Sequence, residues 1–165
     1  IAEHIGPVYL RFGRPKMPIF IDENIPFEIG KALFLNEGED VSIFATGHMV
    51  WKALKAAEIL NEKGISAEVV NIHTIKPLDE KAIIDSVKRT GCVVTAEEHQ
   101  KNGGLSDAIA QVLCKYHPAP MEIVAVNDCF GESGSPEELL VKYGLDTPNI
   151  VEAAEKVISR HSLVA

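Results

Sequence analysis

Cysteine is scarce in this chain: Cys92, Cys114 and Cys129 are the only three among 165 residues. Their number is odd and no pair has C-x-x-C spacing, which argues against a disulfide framework or a structural zinc site and fits a reducing, cytoplasmic setting. Basic residues are also in deficit, with 16 Lys and Arg against 24 Asp and Glu, a net charge of −8. Nucleic acid and anionic membrane repel such a balance, so neither is expected as a main partner. No apolar run reaches the ~18 residues that a membrane-spanning helix needs, and no signal peptide opens the sequence. An initiating Met is missing as well; the chain begins at Ile1, from which a piece of something longer is expected. What remains, 46% hydrophobic and 24% charged residues, is ordinary for a soluble globular protein, and the length allows one domain with a sizeable core.

The chain reads as alternating strands and helices. Pro7 to Phe12 has strand composition, and the Gly13, Pro15, Pro18 and Pro26 that follow read as turn and linker. The near-continuous apolar segments 41–45, 67–72, 92–96 and 121–126 predict four more strands. Between them, Val50, Ala53, Leu54, Ala57 and Leu60 recur at helical spacing up to Gly64. A second helix runs from an Asp79 cap to Gly91, and a third carries the stripe Leu105, Ala108, Ile109, Val112, Leu113. Ser135-Pro136-Glu137-Glu138 is a capping box with Pro at the first helical position, and Thr147-Pro148 predicts another helix start. This order predicts an α/β fold: an open three-layer sandwich with a mostly parallel sheet of about five strands and helices on both faces.

The common chemical motifs are missing. Thr46-Gly47-His48 lacks the further glycines of a dinucleotide fold, and no phosphate loop of the G-x-x-x-x-G-K-[ST] type occurs. Gly131-Glu132-Ser133-Gly134-Ser135 fails as a nucleophile elbow because Ser135 stands where the final Gly belongs, and it reads better as a loop. No Gly-Asp-Gly segment with a following Asn is present, so the chain has no diphosphate–magnesium motif.

Ligands of open α/β sheets gather beyond the carboxyl ends of the strands. Those ends here carry His48, then His73 and Thr74, then Glu97, Glu98 and His99. Such residues suit metal binding or acid–base work, and equally a hydrogen-bonded network that orders loops; no pair has helical i, i+4 ligand spacing, so no metal site is assigned. Gly103-Gly104 before a helix fits an anion cradle, but tight packing explains the glycines better. His4, His117 and His161 are expected to face solvent. Arg11 and Arg14 suit bidentate phosphate binding or interface ion pairs, and spacing alone does not separate the two.

Four segments together resemble one family. Pro7-Val-Tyr-Leu-Arg-Phe-Gly-Arg-Pro15, His73-Thr-Ile-Lys-Pro-Leu-Asp79, Thr95-Ala-Glu-Glu-His99 with Gly103-Gly104, and Pro136-Glu-Glu-Leu-Leu140 with Tyr143-Gly-Leu145 are similar to the C-terminal region of transketolases of the mammalian and split-gene type. The resemblance implies a transferase that moves a two-carbon ketol unit between sugar phosphates, as part of the pentose phosphate pathway, with thiamine diphosphate and magnesium held upstream. On that footing residues 1–15 end a pyrimidine-binding domain, 16–35 form a linker and 36–165 form the C-terminal domain. Arg11 matches the arginine that contacts the sugar phosphate; Arg14 receives no role. Neither catalytic nor cofactor-binding residues are expected on this chain, which would be inactive alone and support a homodimer or heterotetramer with the upstream domains or subunit. The corresponding domains of 2-oxoacid dehydrogenase beta subunits, which dock on a multienzyme core, and of 1-deoxyxylulose-5-phosphate synthase are the alternatives.

Overall fold

A computed structural model describes residues 1–11, 13 and 16–163. Ten elements follow in order: β1 Leu33–Asn36, β2 Val41–Ala45, α1 Met49–Glu62, β3 Ala67–Asn71, α2 Glu80–Thr90, β4 Val93–Gln100, α3 Leu105–Tyr116, β5 Met121–Val126, α4 Pro136–Lys142 and α5 Thr147–Ser162. The sheet order is β1-β3-β2-β4-β5. β2 to β5 run parallel, and β1 pairs antiparallel with β3 at one edge. No helix among the described residues is long and apolar enough to cross a membrane.

Alternation along the strands builds a core on each face. Val41, Ile43 and Ala45 of β2, Val69 of β3 and Val94 and Ala96 of β4 meet the buried stripes of α1 and α5. Phe44, Val70 and Val93 point the other way, against Ile83 and Val87 of α2 and Leu105 and Ile109 of α3. The result is the open three-layer α/β sandwich that the alternation predicts.

Helix ends follow their local chemistry. The Asp79 carboxylate accepts from the Ala82 amide, and Gly91 closes α2 with φ 73°, a left-handed conformation that glycine adopts without a steric penalty. α5 starts one residue earlier than expected: Asp146, not Thr147, caps it, accepting from the Thr147 amide. The Asp146 carboxylate also takes a 2.8 Å hydrogen bond from Lys52 Nζ of α1, joining the two helices of that face. The Lys52 bond holds the carboxyl below the usual aspartate range, burial opposes it, and the Thr147 amide adds to the lowering.

Two features stand out in the first 36 residues. Pro7–Arg11 is irregular and exposed rather than a strand, since no strand among the described residues pairs with it; Phe12 lies outside them. β1 begins at Leu33, inside the segment expected to be linker. Its four residues alternate between half-buried and exposed, and they gain order only by adding to the β3 edge.

Candidate functional site

β2 and β4 are neighbours at the middle of the sheet, yet the chain leaves β2 toward β3 and leaves β4 toward β5. α1 and α3 therefore cover opposite faces, which opens a crevice beyond the carboxyl ends of β2 and β4. A cavity of about 780 Å³ lies there, a size that holds a small molecule. Thr46, Gly47 and His48 border it after β2, and Glu97, Glu98 and His99 line it from the end of β4. The loop Gly131–Gly134 and Leu139, Leu140 and Tyr143 close another side. That wall is braced from within: the Tyr143 hydroxyl donates to the Phe130 carbonyl at 3.0 Å, and Lys142 pairs with Glu132.

Glu97 is 1% exposed, and its carboxylate is used inside the protein. Oε2 accepts from the Leu105 amide at 2.7 Å and Oε1 from the Ser106 amide at 2.8 Å. These amides open α3 and lack partners within the helix, whose dipole also favours a negative charge there. A Cβ on Gly104 would stand 2.0 Å from Glu97 Oε2, so only glycine permits this approach. The Gly103-Gly104 turn therefore serves packing, and the anion at the α3 start is Glu97 itself.

The histidines separate. His48, at the N-cap of α1, offers no capping hydrogen bond and places Nδ1 3.5 Å from Glu98 Oε2. Nδ1 of His99 donates to the Gln100 carbonyl at 2.7 Å. His73 is not among the residues lining the cavity, although Ile75, two residues later, is. Its ring packs on Phe27 with centroids 4.5 Å apart, and its Nδ1 is 2.9 Å from Thr74 Oγ1. His161 and His117 are half-buried rather than solvent-facing, His161 lying against Gly91, whereas His4 is exposed.

Arg11 and Gly13 line the same cavity as His48 and Glu98, while Arg14 lies outside the described residues. Tyr143, Leu139 and Glu132 were not legible as wall residues. The capping box locates the start of α4 but says nothing about which strand ends it folds against.

Among the described residues, no three His, Cys, Asp or Glu side chains gather closely enough to hold a metal ion. The donors present do not fit a metal-bound diphosphate, because α3 takes up Glu97 and Glu98 pairs with a histidine. Burial, aided by nearby Asp40, pushes the Cys92 thiol up to about 11, which leaves it no nucleophile near neutral pH.

The family model of the transketolase C-terminal domain matches residues 30–150, which include the whole crevice except Arg11 and Gly13. The chain belongs to the transketolase C-terminal domain family. It is 49% identical over 160 residues to the 6-deoxy-6-sulfo-D-fructose transketolase subunit of Clostridium sp. (strain MSTE9), covering 97% of this chain and 50% of that protein. A putative transketolase C-terminal section of Methanocaldococcus jannaschii is 46% identical over 155 residues, 92% of this chain and 48% of that one. Among solved structures, a split-gene transketolase described as an inactive β4 tetramer superposes with a TM-score of 0.83 at 46% identity, over 86% of this chain and 46% of that chain. The chain thus spans about half the length of these transketolase-family relatives.

Proposed function

We propose that this chain is the C-terminal portion of a transketolase that transfers a two-carbon ketol unit between sugar phosphates. One observation carries the reading: nearly the whole chain aligns, at 46–49% identity, with half of proteins described as a transketolase subunit and a transketolase C-terminal section. In this reading residues 1–15 end a pyrimidine-binding domain, and the C-terminal domain supports assembly with upstream domains or a second subunit. The tetrameric structural relative favours a multi-subunit enzyme over a monomer. Thiamine diphosphate and magnesium then belong to residues outside this chain, and the isolated chain is inactive. The cysteine usage favours a cytoplasmic enzyme.

Arg11 takes the phosphate of the sugar in this scheme. Its guanidinium presents paired N–H donors that match a phosphate's geometry, and it lies on the wall of the crevice cavity. The test is reconstitution with the cofactor-binding partner. Ketol transfer is expected from the mixture and not from the 165-residue chain alone; activity of that chain by itself overturns the proposal. In the reconstituted enzyme Arg11→Ala raises the apparent KM for sugar phosphates by about ten-fold or more, in keeping with loss of a charge-assisted contact. Unchanged kinetics would remove Arg11 from the substrate site.

A further inference from the structure

Three helix starts border the cavity; that of α4 is closed by the Ser135–Glu138 capping box, and the other two differ. The α3 start is closed by Glu97, whereas α1 begins at His48 with no side-chain cap and no acidic residue in its first turn. The positive end of the α1 dipole is therefore left uncompensated in the cavity that Arg11 and His48 also line. Glu98 stands 3.5 Å from His48 Nδ1, while His48 Nε2 has no hydrogen-bond partner among the described residues. The other exposed carboxylate of the wall, Glu132, is engaged by Lys142 at 2.5 Å. Leu139, Leu145 and Ile75 supply an apolar surround in which a charged contact is screened less than in open water.

We propose that His48, oriented by Glu98, is a second anion contact in this cavity and holds, together with Arg11, the tetrahedral oxyanion at the end of the sugar. The proposal rests on the reading of Arg11 as a contact to that group. A bound imidazolium donates Nδ1–H toward Glu98 and Nε2–H to the anion, so both ring donors are matched. The ligand chemistry is a phosphate or a sulfonate; a neutral sugar end would leave Nε2–H and Arg11 without an acceptor.

The experiment has two arms. The 165-residue chain is titrated with inorganic phosphate and, separately, with methanesulfonate while its imidazole resonances are followed by NMR. His48 signals are expected to shift saturably, while those of His73, which packs on Phe27 and does not line the cavity, stay in place. His48→Gln removes the site, and Glu98→Gln, which leaves the ring in place, weakens binding by about ten-fold. In the reconstituted enzyme, His48→Gln raises KM about ten-fold for a ketose with an anionic end and less than two-fold for an uncharged ketol donor. Comparing the phosphate and methanesulfonate arms shows which oxyanion the site prefers. Shifts that never saturate, that move His73 equally, or that survive both variants overturn the proposal, as does an equal KM effect on charged and uncharged donors. If the reconstituted mixture transfers no ketol unit, the functional reading fails while the anion titration still decides the role of His48.

Discussion

At the scale of single residues, the contact between Glu97 and the start of α3 joins strand, turn and helix. A buried carboxylate is costly unless its oxygens are hydrogen-bonded, and here each oxygen receives one amide. Gly104→Ala places a methyl group where Glu97 Oε2 now lies, so either the turn or the carboxylate has to move. Losing those bonds in a buried setting costs about 2–4 kcal/mol, seen as a lower urea midpoint with an unchanged slope. Gly103→Ala meets no neighbour within 4 Å, but its φ of 84° makes alanine strained, at a smaller cost of about 1 kcal/mol. A Gly104→Ala midpoint equal to wild type would mean that Glu97 does not need its present position. The same contact explains why the two glycines were ambiguous in the sequence: an anion does lie at the helix start, but it comes from the protein's own strand, eight residues before Leu105.

At the scale of elements, Asp146 ties α5 to α1 by capping one helix and accepting from Lys52 of the other. Its carboxyl is held below 3.8, mainly by the Lys52 bond, so the folded state binds its proton less readily than the unfolded chain. A depressed folded pKa contributes stability above the unfolded value, and that stability disappears as pH falls through the folded one. Asp146→Ala is therefore expected to cost about 1–2 kcal/mol near neutral pH, with the gap to wild type narrowing below about pH 4. Denaturant midpoints at the two pH values check this, and a pH-independent gap would reduce Asp146 to a simple cap.

Element boundaries were legible where a side chain fixes them locally. Asp79 and Gly91 delimit α2 because an acceptor is needed at one end and a left-handed residue at the other. β5 was readable because Met121–Val126 is apolar apart from Glu122 and follows Pro118 and Pro120. β1 was not: four residues beside a turn-rich segment carry no signal of their own, and pairing with β3, more than thirty residues later, is what orders them. Pro7–Arg11 has strand composition but no neighbour to pair with among the described residues, since composition cannot supply one. The site was half legible. Chain order put His48 and Glu97–His99 at strand ends, but only the sheet order reveals that β2 and β4 are neighbours there, with β3 on the other side of β2.

At the scale of the whole molecule, exposed apolar side chains are unevenly spread. Ile5, Tyr9 and Ile19 are 98%, 86% and 97% exposed, and most large exposed hydrophobics precede β2. The segment first meets the core at Phe20, whose ring lies 5.7 Å from that of Trp51 on α1. An apolar, irregular segment that buries little against the domain following it is the pattern expected of residues whose partner surface belongs to another domain. That agrees with the proposal that residues 1–15 complete an upstream unit. Arg11 and Lys16 are exposed in this irregular stretch, so brief trypsin treatment of the chain is expected to cut after both, sparing the lysines within helices. The fragment beginning at Met17 keeps Phe20 and both cores, so its melting temperature is expected within about 2 °C of the intact chain. In the reconstituted enzyme cleavage after Arg11 is suppressed, because residues 1–15 are then paired. A fragment that melts far lower would make the segment part of this domain's core, and undiminished cleavage after assembly would remove its assignment to the neighbouring domain.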